Sequence, residues 1–147
     1  MTTKPSRTPR IPLLRIVAEP IRVLVVEEDK DLRHRMVEEL ENNGFEPTPA
    51  DNASAAGSLQ ERWHDVVVLH MQMGGNSADI SRWPGFSFLH EIAQCQRKPG
   101  VLIFGPRNLI APNLAALDLG ATAFFDKAES LELLPDRVFE VWQQRPI

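Results

Sequence analysis

The side chains with which this chain can do chemistry stand at the ends of its apolar runs. Glu27-Glu28-Asp29 follow the run Ile21–Val26, and His70 closes the run Asp65-Val66-Val67-Val68-Leu69. Gly105 follows Val101–Phe104, and Lys127 comes just after Ala121–Phe125. Three acids in a row on leaving a buried strand repel one another and are costly to desolvate unless a cation or partner offsets them. His70 is the first candidate for chemistry, because a central parallel strand delivers its last residues to the ligand crevice at the carboxyl edge of the sheet. Imidazole beside carboxylates suits proton exchange near neutral pH or a transition metal.

The elements that must position these residues follow from pattern. Asp65–His70 is a continuous apolar run with three successive valines, too short for a helix, which predicts a parallel strand buried on both faces. Ile21–Val26, Val101–Phe104 and Ala121–Phe125 read as strands too, and Phe45–Ala50 as a weaker one whose Pro47 and Pro49 suit an edge. Between them the spacing predicts helices. Asp31 can cap one bearing Leu32, Met36, Val37 and Leu40 on one face, stopped at Gly44. Asn52 or Ser54 can start a second through Ala55, Ala56, Leu59 and Trp63. Phe86, Leu89, Ile92 and Ala93 mark a third, Pro112–Leu119 a short fourth ended by Gly120, and Val138, Val141 and Trp142 a last one with Pro135 at its first position. Five β-α units in alternation give an α/β fold with a doubly wound parallel sheet. Such a sheet brings Glu27, Glu28, His70, Gly105 and Lys127 to one crevice. His34 and His64 read as surface or helix-flank residues and His90 as a third-helix residue, with no convincing ligand cluster among them.

Composition bounds the function. A chain of 147 residues, 43% hydrophobic, is enough for one domain with a sizeable core. Residues 1–20 carry Lys4, Arg7, Arg10 and Arg15 against Glu19, so a basic arm precedes an acidic body within a net charge of -4. That arm, with prolines 5, 9, 12 and 20, reads as extended or disordered, its apolar residues Ile11–Val17 packing loosely or docking another chain. Residues 21–147 form the folded domain. The acidic body gives no reason to expect nucleic acid. No run approaches the roughly 18 apolar residues of a membrane span, the arm lacks the core of a secretory signal, and the single Cys95 suits a reducing cytoplasm.

Residues 21–144 resemble the receiver domain of bacterial two-component response regulators. The resemblance rests on Arg22-Val-Leu-Val-Val-Glu-Glu-Asp-Lys-Asp-Leu-Arg33, Asp65-Val-Val-Val-Leu-His70, Gly85-Phe86 and Gly120-Ala-Thr-Ala-Phe-Phe-Asp-Lys127. It implies a flavodoxin-like, five-stranded sheet in the order 2-1-3-4-5. It also implies a magnesium site at the acidic pair Glu27 and Glu28, a phosphoryl-contacting lysine at Lys127 and a rotamer-switching aromatic at Phe124. The family's phosphoacceptor aspartate falls at His70, its Thr or Ser at Gly105, and a common proline at Ala128. An acyl phosphate needs a carboxylate that His70 lacks, and Gly105 offers a phosphoryl oxygen no hydroxyl. Glu for Asp and imidazole for carboxylate also depart from the oxygen-rich octahedron magnesium demands. Lys127, without a phosphoryl partner, would most simply pair with Glu27 or Glu28.

These departures make the expected protein a pseudo-receiver. It would be an atypical single-domain response regulator in the cytoplasm, working by phosphorylation-independent protein–protein interaction, with a protein partner or by homodimerisation. It would be no enzyme and hold no resident cofactor. His70 would fill the former pocket and hydrogen-bond an acid. Alternatives are a pH-sensing ion pair with the glutamates, a transition-metal site with Glu27 or Glu28, or a phosphorelay in which His70 itself accepts phosphoryl. The loop from Gln72 to Pro84 is longer than the usual receiver spacing and carries Ile80 and Trp83. Trp83 would either fold back as a lid over the pocket or anchor a partner. A flavodoxin-like cofactor binder is disfavoured, since acids follow the first strand where phosphate would need a glycine-rich cradle.

Overall fold

The structure is a computed structural model, and it describes residues 19–71, 83–105 and 110–144. Five strands, β1 (Arg22–Val26), β2 (Glu46–Ala50), β3 (Val66–His70), β4 (Gly100–Gly105) and β5 (Ala123–Asp126), form one parallel sheet in the order β2-β1-β3-β4-β5. Helices α1 (Lys30–Glu41), α2 (Asn52–Glu61), α3 (Pro84–Ala93) and α4 (Ile110–Asp118) make the crossovers, and α5 (Leu134–Gln144) follows β5 after a 3-10 turn at Leu131–Leu133.

Strand alternation divides the core into two layers. Leu24, Val26, Val67, Leu69, Val101 and Ile103 face the side of α2, α3 and α4. Val23, Val25, Val66, Val68, Leu102, Phe104 and Phe125 face α1 and α5, which add Met36, Leu40, Val138 and Val141. The valines of β3 are fully buried, as a strand covered on both faces must be. β2 takes the predicted edge position. Glu46 N–H donates to Ile21 O at 2.9 Å, so alternation turns the nitrogens of Pro47 and Pro49 away from β1, where no donor is missed.

Several sequence expectations shift locally. The cap of α1 is Asp29, which accepts from Asp31 N–H and Leu32 N–H at 3.0 and 3.1 Å; the helix therefore starts at Lys30, and Asp31 lies in its first turn. α2 is capped by Asp51 in a reciprocal box with Ser54 and ends at Glu61, because Arg62 is extended (φ -154°). Trp63 thus leaves the helix and packs under Arg97, whose guanidinium carbon lies 3.6 Å from the ring centroid. α4 begins at Ile110 rather than Pro112, and Pro135 is the second residue of α5. His64 is no surface residue: it is 1% exposed, because the chain must pass from α2 to the centre of the sheet within a few residues. Gly44 and Gly120 do end their helices, at φ 86° and 108°.

The arm, residues 1–18, and residues 72–82, Ile80 among them, lie outside the described residues. Trp83 is described and is buried, in the layer with Phe86, Leu89 and Met71. At 6% exposure its ring does not stand out as an anchor for a partner. The chain returns from the long loop through a tight contact, Gly85 N–H to Met71 O at 3.0 Å. A Cβ on Gly85 would stand 2.5 Å from Met71 Cα.

Candidate functional site

The carboxyl edge gathers its residues through the register of the sheet. Val26 pairs with Leu69, His70 with Phe104, and Phe104 with Phe125, so Glu27, His70, Phe104 and Phe125 make one row across four strands. Phe125 and Phe104 stack at 5.7 Å and 18°, and the His70 ring stands edge-on to Phe104 at 6.1 Å and 88°. Phe104 and Phe125 are 3% and 0% exposed. The row passes from aromatic to imidazole to carboxylate.

His70 Nδ1 lies 3.0 Å from Glu27 Oε1 and 3.3 Å from Oε2. A carboxylate only accepts, so this geometry puts the ring hydrogen on Nδ1. The Glu27 side chain is 2% exposed and that of His70 18%, which makes the pair mostly dry. Glu27 Oε2 also accepts from Asp29 N–H at 3.0 Å. Glu28 turns elsewhere: it is exposed, and its Oε2 accepts from Asn52 N–H at 3.0 Å, at the first turn of α2, where a negative charge is favoured.

Sequence reasoning brought Lys127 to the acids, and the structure does not. Lys127 is exposed and forms no ion pair with Glu27 or Glu28. Its contact with the site is through the backbone, Lys127 N–H to Gly105 O at 3.1 Å. A long, flexible side chain gains little from an exposed pairing when one acid is already taken by His70 and the other by a helix end. The cation that reaches the acidic turn is Arg33, whose Nη1 donates to the carbonyls of Glu27 at 2.6 Å and Glu28 at 3.4 Å. Arg33 and the two phenylalanines were missed. The alternation Leu102, Phe104 places Phe104 on the face of His70, and that signal was available.

Gly105 sits at the end of β4, half-buried, and among the described residues a Cβ there would meet only His70 Cδ2, at 3.9 Å. Nothing steric among the described residues demands glycine at this position. Phe124 is half-buried against the layer of α2, α3 and α4.

Residues 23–139 match the family described as the response regulator receiver domain. The chain belongs to that family. Regulatory protein VirG of Agrobacterium fabrum is 33% identical over 115 residues, covering 77% of this chain and 43% of VirG. The phosphate regulon transcriptional regulatory protein PhoB of Escherichia coli is 29% identical over 126 residues, covering 84% of this chain and 52% of PhoB. This receiver chain thus spans about half the length of the curated relatives it matches. In fold it is similar to the chemotaxis protein CheY4 of Vibrio cholerae, with a TM-score of 0.71 at 22% identity over 83% of this chain and 98% of that one.

Receiver membership brings magnesium into question, and the residues present do not fit it. The two glutamates diverge, one toward His70 and Asp29 N–H and the other toward α2. The end of β3 offers an imidazole where a hard cation wants oxygen. Among the described residues no three His, Cys, Asp or Glu side chains converge as a metal site. No helix among them is long and apolar enough to cross a membrane.

Proposed function

We propose that this receiver domain is a pseudo-receiver: it signals without being phosphorylated, as a non-enzymatic protein-interaction module in the cytoplasm, through a protein partner or a second copy of itself. The observation that carries this reading is the Glu27–His70 pair at 3.0 Å. It takes up the acid that a metal would use and stands where a phosphoryl group would have to be received. The aromatic column behind it supports the same reading, since Phe104 and Phe125 hold the imidazole edge from the sheet side. Gly105 adds no hydroxyl to draw a phosphoryl oxygen.

Titration of the protein with magnesium and then with nickel or zinc, followed by calorimetry, tests the pocket. The proposal expects no saturable magnesium binding at millimolar metal. Saturable magnesium binding would contradict it, and tight binding of zinc or nickel lost in His70→Ala would replace it with a transition-metal function.

A further inference from the structure

At the opposite, amino-terminal edge of the sheet, the described chain begins with Glu19 and Pro20, both exposed. It enters β1 through Ile21, which is fully buried in the layer of α1 and α5. α1 ends at the same edge. Phe45 N–H donates to Leu40 O at 3.1 Å as the helix closes, and Glu46 N–H donates to Ile21 O at 2.9 Å, which ties the next residue to the start of β1. α5 returns from the carboxyl edge after β5 and packs beside α1. The residues before Glu19 therefore leave the domain next to the ends of these two helices.

Two features mark that region. The first is apolar. Phe139 and Trp142, three residues apart on one flank of α5, stack at 5.6 Å and 26°. With Leu131 they rest against the layer of α1 and α5 yet stay only half-buried, which leaves aromatic surface in water. The second is electrostatic. The last turn of α1 carries Glu38, Glu39 and Glu41 and no basic residue, at the helix end where the backbone dipole favours cations. Glu38 and Glu41 are exposed, as is Glu140 on α5. The exposed cations of α1, Lys30, His34 and Arg35, lie in its first half, toward the other edge, and Arg137 of α5 is taken by Glu129 at 2.8 Å. The arm matches both features. Residues 1–18 hold the apolar Ile11, Leu13, Leu14, Ile16 and Val17 and four cations, with no acid among them. Val17 stands four residues before Ile21 and Ile11 ten, so at about 3.3 Å per extended residue they reach about 13 and about 33 Å. The 11 residues of α5 are about 16 Å long, well within that reach.

We propose that residues 11–17 dock in cis on this flank of α5, covering Leu131, Phe139 and Trp142, with Arg10 and Arg15 set against Glu38, Glu41 and Glu140. The arm is then a resident occupant of one face of the receiver domain, and a partner that uses this face has to displace it. The docking draws on no residue of the carboxyl edge, so its failure is distinguishable from failure of the pseudo-receiver reading.

The test is paramagnetic broadening in the full chain. A nitroxide is carried on Thr8→Cys in a Cys95→Ser background, and ¹⁵N spectra are compared before and after reduction of the label. The amides of residues 38–41 and 139–144 and the Trp142 indole signal, assigned with Trp142→Phe, are expected to lose intensity. The amides of α2 and α3, on the other face of the sheet, should keep theirs. Adding Leu13→Ser with Leu14→Ser, or Arg10→Gln with Arg15→Gln, changes no residue of the folded core and should restore most of the lost intensity. In a mixture of ¹⁵N chain lacking the nitroxide and nitroxide-bearing chain lacking ¹⁵N, no broadening is expected. Broadening in that mixture would give the face to the arm of a second copy and overturn docking in cis. No broadening in the labelled chain, broadening spread evenly over both faces, or broadening confined to α2 and α3 would overturn the docking site. Undiminished broadening in the leucine pair would overturn the apolar contact, and in the arginine pair the charge matching.

Discussion

Replacing His70 by aspartate would set two carboxylates side by side at the end of β3, one of them on a residue only 2% exposed. Breaking a buried pair in this way leaves an uncompensated charge, and a cost of roughly 2–4 kcal/mol is expected because His70 retains some solvent contact. His70→Asp should therefore melt lower than the wild type in chelator and regain part of the loss in magnesium, whereas the wild type should be indifferent to the metal. Thermal unfolding of both proteins with and without magnesium checks this, and an equal magnesium response in the two would contradict it. His64 makes a second prediction at this scale. Its folded pKa lies below the ordinary 6.5, chiefly through burial and then through Arg62 and Arg22, against a smaller opposing effect of Asp65. Below 6.5 the unfolded chain takes up a proton that the folded chain refuses, so stability is lost as pH falls through that window and is retained above it. The urea midpoint should drop between about pH 7 and about pH 5.5, and less so in His64→Gln. An identical drop in the variant would assign the effect to other groups. His64 also marks where the sequence ran out: a histidine between a helix and a strand reads as exposed until the path of the connection is known. Lys127 failed for the opposite reason, since pairing by charge alone ignores that His70, Asn52 N–H and Arg33 reach the acidic turn from nearer positions.

Elements were more legible than contacts. The valine run of β3, the prolines of β2 and the apolar faces of α1, α3 and α5 are consequences of periodicity, which sequence carries directly. Caps slipped by a residue or two, as at Asp29 and Asp51, because several neighbouring Asp, Asn and Ser side chains compete for the same backbone donors. Trp83 was the harder case. Its burial depends on the turn that brings Gly85 against Met71, which no local pattern reveals. That turn is itself testable. A methyl group at Gly85 meets Met71 backbone at 2.5 and 2.6 Å, so backbone must move, and Gly85→Ala should cost at least about 1–3 kcal/mol by chemical denaturation. By contrast Gly105→Thr places its Cβ in ordinary contact with His70 and should leave stability within about 1 kcal/mol of wild type. A reversed order of these two glycine variants would mean that the carboxyl edge is packed differently from this description.

At the scale of the molecule, the chain is a receiver sheet with the row Glu27, His70, Phe104 and Phe125 along its carboxyl edge. The strand order, the two core layers and the family match all concern the scaffold. The residues on which the proposed pseudo-receiver reading rests, Glu27, Glu28, His70 and Gly105, stand at or just beyond the carboxyl ends of β1, β3 and β4. The proposal of a function carried on surfaces stands or falls with the chemistry of that edge. The most direct test is intact-mass measurement after incubation with acetyl phosphate and magnesium, with His70→Asp, Gly105→Thr double-substituted protein beside the wild type. The wild type is predicted to carry no phosphoryl adduct under conditions in which the double variant acquires one. A stoichiometric adduct on the wild type would contradict the account.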